Sequence, residues 1–79
     1  MARLCLGGPK DGQHVDTVHG SRLMIAGDQP GQWTDYNLRT IRVNGDAWEV
    51  WILEGMHAEQ IRTRIADFLG APAEIEWVA

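Results

Sequence analysis

Short apolar runs, separated by glycine- and proline-containing stretches, divide the first third of the chain into strand-sized pieces. Arg3–Leu6, residues 14–18 and Arg22–Ala26 each end at residues that interrupt a β-ladder. Between the first two, residues 7–12 combine Gly, Pro and Asp, a mixture that favours a turn. Residues 27–34 hold Gly, Asp, Pro and one Trp and are predicted to form the longest loop. The pattern therefore predicts three short strands followed by a long loop.

The strongest local signal is Asn44-Gly45, which separates two strand-like segments, residues 35–43 and Asp46–Leu53. A two-residue type I′ turn needs positive φ at both positions, and Asn-Gly meets that need well. In this register Val43 lies opposite Asp46, and side chains alternate between the two faces of the hairpin. One face then carries Ile41, Trp48, Val50 and Ile52, and the other carries Tyr36, Leu38, Trp51 and Leu53. A three-residue loop that included Asp46 would shift the pairing by one residue.

Ala58–Leu69 has the spacing of an amphipathic helix. Its apolar residues recur at intervals of three and four and form one stripe: Ala58, Ile61, Ile65, Phe68 and Leu69. Gly70 suits the position just after a helix, and Pro72 prevents its continuation, whereas His57 is a mediocre N-cap. The sequence therefore predicts one helix near the C-terminal end.

The last alternating segment, residues 74–78, places Ile75 and Trp77 on one side and is either a final strand or an anchored tail. Combined with the hairpin and the helix, this predicts a single α+β domain over residues 1–79. The expected architecture is a small antiparallel sheet of four to five strands with the amphipathic helix packed on one face.

Composition limits the classes of function. The chain has 79 residues, of which 44% are apolar, and a formal net charge of -4. A chain this short buries only about 60% of the surface that it exposes when unfolded, which supports one modest core and no deep cleft. The acidic balance argues against nucleic acid as a partner. Because the sequence has no long apolar run and no secretory signal pattern, we predict a cytoplasmic protein without a membrane partner.

Residues able to carry chemistry are present, but their spacing does not fit the known sites. Residues 7–10 lack both the glycine spacing and the Ser/Thr of a phosphate loop. Cys5 and the three histidines form no CxxC or helical His pair that would indicate zinc. Asp35, Glu49 and Glu54 lack the cleft that a catalytic carboxylate pair needs. We therefore predict no enzyme, no metal and no cofactor, with a small ligand-binding or hydrolytic domain as the alternative.

Four tryptophans are many for so small a chain: either all four pack under the helix and the long loop, or some of them serve another purpose. One helix covers only one hairpin face, and we expect the face with Trp48 to meet Ile61, Ile65 and Phe68. A monomer rarely leaves several large apolar side chains in water, so the second face needs another cover. We predict a partner protein there, in the simplest case a second copy in a homodimer. The expected interaction residues are Tyr36, Leu38, Trp51, Leu53 and Trp77.

A competing interpretation has residues 27–34 fold over the same face with Trp33 inserted. The interface hypothesis predicts that Trp51→Glu leaves the fold intact and changes the association state. It also predicts that Trp48→Ala costs on the order of 3 kcal/mol.

Three features follow one another along the chain: the glycine-rich turn at residues 7–12, a mid-chain Tyr36, and residues 51–56 leading into a helix that ends near Gly70. Over residues 3–70 this order resembles small uncharacterised proteins encoded by phages of actinobacteria, such as mycobacteriophage-like accessory proteins. His57 stands where similar sequences carry a Thr or Ser cap. The resemblance implies no catalytic residue. It implies an accessory protein that binds a host or phage protein in the host cytoplasm, with a minor virion subunit as the alternative.

Overall fold

The computed structural model describes residues 2–16 and 20–78. The strands are β1 (Arg3–Leu6), β2 (His14–Val15), β3 (Arg22–Ala26), β4 (Trp33–Val43), β5 (Asp46–Leu53) and β6 (Ile75–Trp77), and the helix is α1 (Ala58–Leu69). A single turn of 3-10 helix spans Gly8–Lys10. The predicted α+β class with one C-terminal helix is confirmed, and the predicted second strand is shorter than expected. Thr17 and Val18, at the end of that predicted strand, lie outside the described residues.

The strands form one sheet in the order β2-β1-β5-β4-β3, and β6 pairs with the other half of β4. The sheet is mixed rather than wholly antiparallel, and it has one strand more than expected. The parallel pair joins β1 to β5, with Leu4 opposite Val50 and Leu6 opposite Ile52. This placement occupies the outer edge of β5 and turns Leu4 and Leu6 towards the helix.

The central hairpin has the two-residue turn that Asn44-Gly45 predicted. Asn44 has φ 51° and Gly45 has φ 90°, which fits a type I′ turn. Val43 lies opposite Asp46 and Ile41 opposite Trp48, so the predicted register is confirmed.

Strand β4 begins two residues earlier than the sequence predicted and ends at Val43 as predicted. β4 begins at Trp33 because β3 continues to pair with it as far as Ala26, which lies opposite Trp33. At the other end, Asn44 Oδ1 accepts a 2.8 Å hydrogen bond from the backbone N–H of Glu74, and the chain that follows forms strand β6. The alternating C-terminal segment is therefore a strand.

The larger core cluster lies between the sheet and α1. Its buried members are Leu4, Leu6, Ile41, Val43, Val50, Ile52, Ile61, Ile65 and Ala73, with Trp48, Met56, Ala66 and Ile75 partly buried against them. The expected contact of the Trp48 face with Ile61 and Ile65 is thus confirmed. Phe68 does not join this cluster and is 40% exposed. It lies instead beside the turn at Gly12, with the Arg64 guanidinium 5.4 Å from its ring centroid.

A second core cluster lies on the opposite face of the sheet, where no helix packs. It consists of the fully buried Cys5, Tyr36 and Trp51, with Val15, Leu23, Ile25, Leu38 and Leu53 partly buried around them. Val15 belongs to one edge of the sheet, and Leu23 and Ile25 belong to the other. Because side chains from both edges reach the same cluster, the twisted sheet curls around Trp51. We call this side the curled face.

Candidate protein-binding surface

The structure places the five predicted interaction residues in two different settings. Tyr36 and Trp51 have no accessible surface within a single chain, and Leu38 and Leu53 are half-buried beside them. Trp77 lies opposite Ile41 and therefore on the helix side of the sheet, 41% exposed. The exposed patch expected around Trp51 is thus a core. Side chains of the edge strands cover Tyr36 and Trp51, whereas the sequence predicted that a partner protein covers them.

The loop alternative is not what covers this face either. Trp33 is 59% exposed and belongs to strand β4 rather than to a loop folded over the sheet. Its position opposite Ala26 puts it on the helix side, away from Trp51. The hypothesis that Trp33 inserts over the curled face is therefore wrong.

The glycine-rich turn completes the cover over Tyr36. The Tyr36 hydroxyl donates to the Gly7 carbonyl at 2.7 Å and accepts from the Lys10 N–H at 3.1 Å. Burial raises the pKa of Tyr36. Gly8 has φ 65°, and a Cβ there would lie 2.6 Å from the hydroxyl oxygen, so only glycine fits this position. The glycine-rich turn thus covers a core tyrosine.

The same turn is tied to the helix by an ion pair. Asp11 Oδ1 accepts from the Gly7 N–H at 2.7 Å and from Arg64 Nε at 3.2 Å, and Asp11 Oδ2 accepts from Arg64 Nη2. Burial alone would raise the pKa of Asp11, but these hydrogen bonds outweigh it and the pKa is lowered. Arg64 also contacts Asp67, so its charge is fully engaged.

Helix α1 and strand β4 differ in length, and one end of the sheet carries an exposed surface that was not predicted from the sequence. Helix α1 has 12 residues and is about 18 Å long. Strand β4 has 11 residues and extends about 36 Å. Ile41 and Val43 at one end of β4 share a buried cluster with the helix residues Ile61 and Ile65. Trp33, Asn37 and Arg39, on the same face towards the other end, are exposed. We call the uncovered part, β3 with residues 33–37 of β4, the β3–β4 arm.

Two large apolar side chains lie on the arm, on the same side of the sheet as the helix. Met24 is 52% exposed and Trp33 is 59% exposed. Met24 pairs with Asp35, two residues from Trp33, so the two side chains are diagonal neighbours, with their Cα atoms about 7–8 Å apart. Beside them, Arg22 Nη2 contacts Asp35 Oδ2 at 2.7 Å. The arm thus offers an apolar centre bordered by a neutralised ion pair.

Trp77 marks the place where the arm meets the helix-covered half of the sheet. The Arg39 guanidinium lies 5.5 Å from the centroid of its ring. A groove of ≈ 250 Å³ separates this pair from the start of the helix and is lined in part by Ile52 and Met56. Of the five residues predicted for interaction, Trp77 is the one with a largely accessible side chain.

A groove of ≈ 570 Å³ lies between the start of α1 and the turn at Gly7. Its arginine, Arg64, is held by Asp11 and Asp67, and the hydroxyl of Thr63 donates to the Glu59 carbonyl at 2.9 Å. Both groups are thus engaged in contacts within the chain. Burial raises the pKa of the Cys5 thiol, which keeps it in its unreactive neutral form.

Within residues 2–16 and 20–78, no group of three or more His, Cys, Asp and Glu side chains is arranged to hold a metal ion. None of the helical segments in these same residues has the length and apolar character needed to span a bilayer.

No family model, curated protein or solved structure matches this chain. The functional interpretation therefore depends on the surface itself. Met24 and Trp33 were not proposed as interaction residues from the sequence, because residues 27–34 were predicted to form a loop. Their position side by side follows from the pairing of β3 with β4, which no local sequence signal indicates.

Proposed function

We propose that the protein is a non-enzymatic protein–protein interaction module whose binding surface is the β3–β4 arm. The observation that carries the proposal is the exposure of Met24 and Trp33 side by side on a half-sheet that the helix does not cover. Trp and Met are enriched in interfaces, and a single Trp often supplies much of the binding energy. The bordering ion pair of Arg22 and Asp35 resembles the polar rim of such a surface.

The arrangement favours a protein partner over a small ligand. Small-molecule sites are concave and bring several polar groups to one point. The arm is an open sheet face, and the groove between α1 and the turn at Gly7 has its arginine and threonine engaged in contacts within the chain. A small ligand-binding or hydrolytic domain, the alternative function, has less support from this geometry.

The proposed setting follows from the sequence resemblance. The protein would be a phage-encoded accessory protein in the host cytoplasm, binding a host or phage protein. Its net charge of -4 disfavours nucleic acid as the partner, because nucleic-acid binding depends largely on neutralising phosphates with Lys and Arg.

Affinity capture with matched variants tests the proposal. Immobilised wild-type protein, Trp33→Ser and Leu69→Ser are exposed to an actinobacterial lysate, and bound proteins are quantified by mass spectrometry. Leu69 is a suitable control because it is also exposed but lies at the end of the helix, outside the arm. We expect Trp33→Ser to lose the specific partner by about 30-fold or more, as for a hot-spot residue worth about 2 kcal/mol, and Leu69→Ser to retain it.

Equal capture by all three proteins would contradict the arm as the binding surface. A large thermal stabilisation by a metal ion or a nucleotide would favour the ligand-binding alternative, because a ligand at 100 times its Kd stabilises by about 2.7 kcal/mol.

A further inference from the structure

Strand β3 ends the sheet, and its outer edge has no partner strand among residues 2–16 and 20–78. Two flanking bonds fix which backbone groups point inwards. The Ser21 carbonyl accepts from the Leu38 N–H at 2.8 Å, and the Gly27 N–H donates to the Gln32 carbonyl at 2.7 Å. Inward and outward residues alternate along an antiparallel edge strand. The odd-numbered residues of β3 therefore bond to β4.

The even-numbered residues point the other way. Arg22, Met24 and Ala26 direct both the N–H and the C=O away from β4, into the open edge. These three residues thus present a regular row of backbone donors and acceptors that have no partner among the described residues. An edge of this kind is a template for another strand.

The other two end strands are better protected than β3. β2 has two residues, and β6 has three with Glu76 at its centre. β3 has five residues, contains no Pro or Lys, and pairs with β4 without a bulge. Its single charge, on Arg22, is neutralised by Asp35. Native sheets usually protect exposed edges from pairing by short strands, charges, Pro or bulges. Of these features, β3 has only a modest length.

We propose that the outer edge of β3 pairs antiparallel with the same edge of a second copy of this chain, about a two-fold axis at Met24. The inference rests on the proposed function and adds a second copy of the chain at the backbone edge of the same arm. In this register Met24 lies opposite the partner's Met24, and Arg22 lies opposite the partner's Ala26. Each of these outward-pointing pairs exchanges two backbone hydrogen bonds.

The side chains favour this register over its neighbours. Leu23 lies opposite the partner's Ile25, and both are half-buried apolar residues of the curled face. The apolar layer around Trp51 would thus continue across the axis into the second copy. A pairing centred on Leu23 or on Ile25 would leave one outward residue of β3 facing a loop. The strand is therefore self-complementary about Met24, which an isologous dimer requires.

Amide exchange on the wild-type protein gives a test that needs no variant. In a monomer, the amides of Arg22, Met24 and Ala26 are open to solvent, whereas those of Leu23 and Ile25 are bonded to β4. We expect sedimentation to show a species of twice the 8.8 kDa chain mass as concentration rises. Over the same concentration range, protection should increase at the three even-numbered amides and stay constant at the two odd-numbered ones.

Substitution at the axis provides the second test. Met24→Pro removes an outward N–H that the monomer does not use, and edge strands tolerate Pro at such positions. Met24→Lys places two like charges opposite each other at the axis. Both variants should keep the wild-type far-UV circular dichroism and lose the dimer, whereas Leu69→Lys, a charge added at an exposed helix position, should retain it.

Each of the following results would overturn the inference: a wild type that is monomeric at the highest concentration, a dimer whose even-numbered amides stay unprotected, or a dimer that survives Met24→Pro. Protection of these amides only after another protein is added would also overturn it, since the edge partner would then be different. In each case a Trp33-dependent partner would leave the proposed function standing. Loss of the proposed function requires instead that Trp33→Ser leaves every association unchanged.

Discussion

The two faces of the sheet are both apolar, and each is buried by a different means. On the helix face, Ile61 and Ile65 of a separate element cover the strands. On the curled face, Trp51 is covered by side chains from the sheet's own two edges and lies near the turn that holds Tyr36. An apolar face without a helix is therefore not by itself an interface, because a strongly twisted small sheet can bury its own centre.

The same comparison explains where exposed apolar surface remains. Curling brings the β3 side chains Leu23 and Ile25 onto Trp51, which turns their neighbour Met24 to the helix side. The helix packs at the end of the face that holds Ile41 and Val43, and Met24 and Trp33 at the other end stay in solvent. The exposed surface is thus a consequence of how each face is covered.

The largest expected effect comes from removing the centre of the curled face. Trp51→Ala should cost about 3–5 kcal/mol, because a fully buried Trp leaves a large cavity. This is a large part of the roughly 5–15 kcal/mol that stabilises a typical domain. Trp48→Ala should cost less, about 1–2 kcal/mol, since part of its ring already contacts water. Urea denaturation of the two variants measures the difference.

A buried Trp51 also reverses the expectation drawn from the sequence for Trp51→Glu. A carboxylate in this core would be desolvated without a partner, so the variant should unfold rather than dissociate. Trp51→Phe is a milder control, because the indole Nε1 has no hydrogen-bond partner among the described residues and its loss removes no bond. A folded, stable Trp51→Glu would contradict the buried position of Trp51.

The elements themselves were largely predictable from the sequence because their signals are local. Asn44-Gly45 determines the hairpin register, and the spacing of Ile61 and Ile65 together with Gly70 determines the helix and its end. The turn and the helix each depend on residues close together in sequence, so turn preferences and helical periodicity are enough to predict them.

The candidate surface was not predictable in the same way, because it depends on contacts distant in sequence. Nothing near Cys5 indicates that β1 lies parallel to β5, and nothing near Val15 or Leu23 indicates that both reach the Trp51 cluster. When the curling of the sheet is not known, the alternating sequence around Tyr36 and Trp51 predicts an exposed apolar patch. The outward groups of β3 likewise become visible only once its pairing with β4 is known.

The next prediction tests the turn as part of the cover. Tyr36→Phe removes the bond to the Gly7 carbonyl and leaves the Lys10 N–H without its acceptor. We expect a loss of about 1–2 kcal/mol at neutral pH, measured by urea denaturation. Leu53→Val, which trims a half-buried neighbour and keeps both hydrogen bonds, serves as a packing control.

The pH dependence of this effect has a definite sign. Burial raises the pKa of Tyr36, so the neutral phenol is favoured in the folded state. Its contribution to stability is complete below the ordinary pKa of about 10 and is lost as pH rises through the raised value. The wild type should therefore lose stability above pH 10 more steeply than Tyr36→Phe, with Cys5 contributing equally to both. Parallel pH profiles would contradict a buried, bonded hydroxyl.

The smallest expected effect on stability comes from the ion pair that links the glycine-rich turn to the helix. Asp11 joins the turn over the curled face to Arg64 on the helix. Asp11→Asn keeps an acceptor for the Gly7 N–H, and it removes both the charge and the oxygen that accepts from Arg64 Nη2. Because this ion pair is partly exposed, we expect the Tm to fall by only a few degrees at pH 7. Asp67→Asn, which touches the same arginine but not the turn, should change the Tm less.

Since the pKa of Asp11 is lowered on folding, its contribution to stability is present above the ordinary pKa of about 3.9 and is lost as pH falls through the lowered value. Thermal melts from pH 7 down to pH 2 should therefore converge for wild type and Asp11→Asn, and a constant gap between them would mean that the helix and the turn are not coupled through this charge.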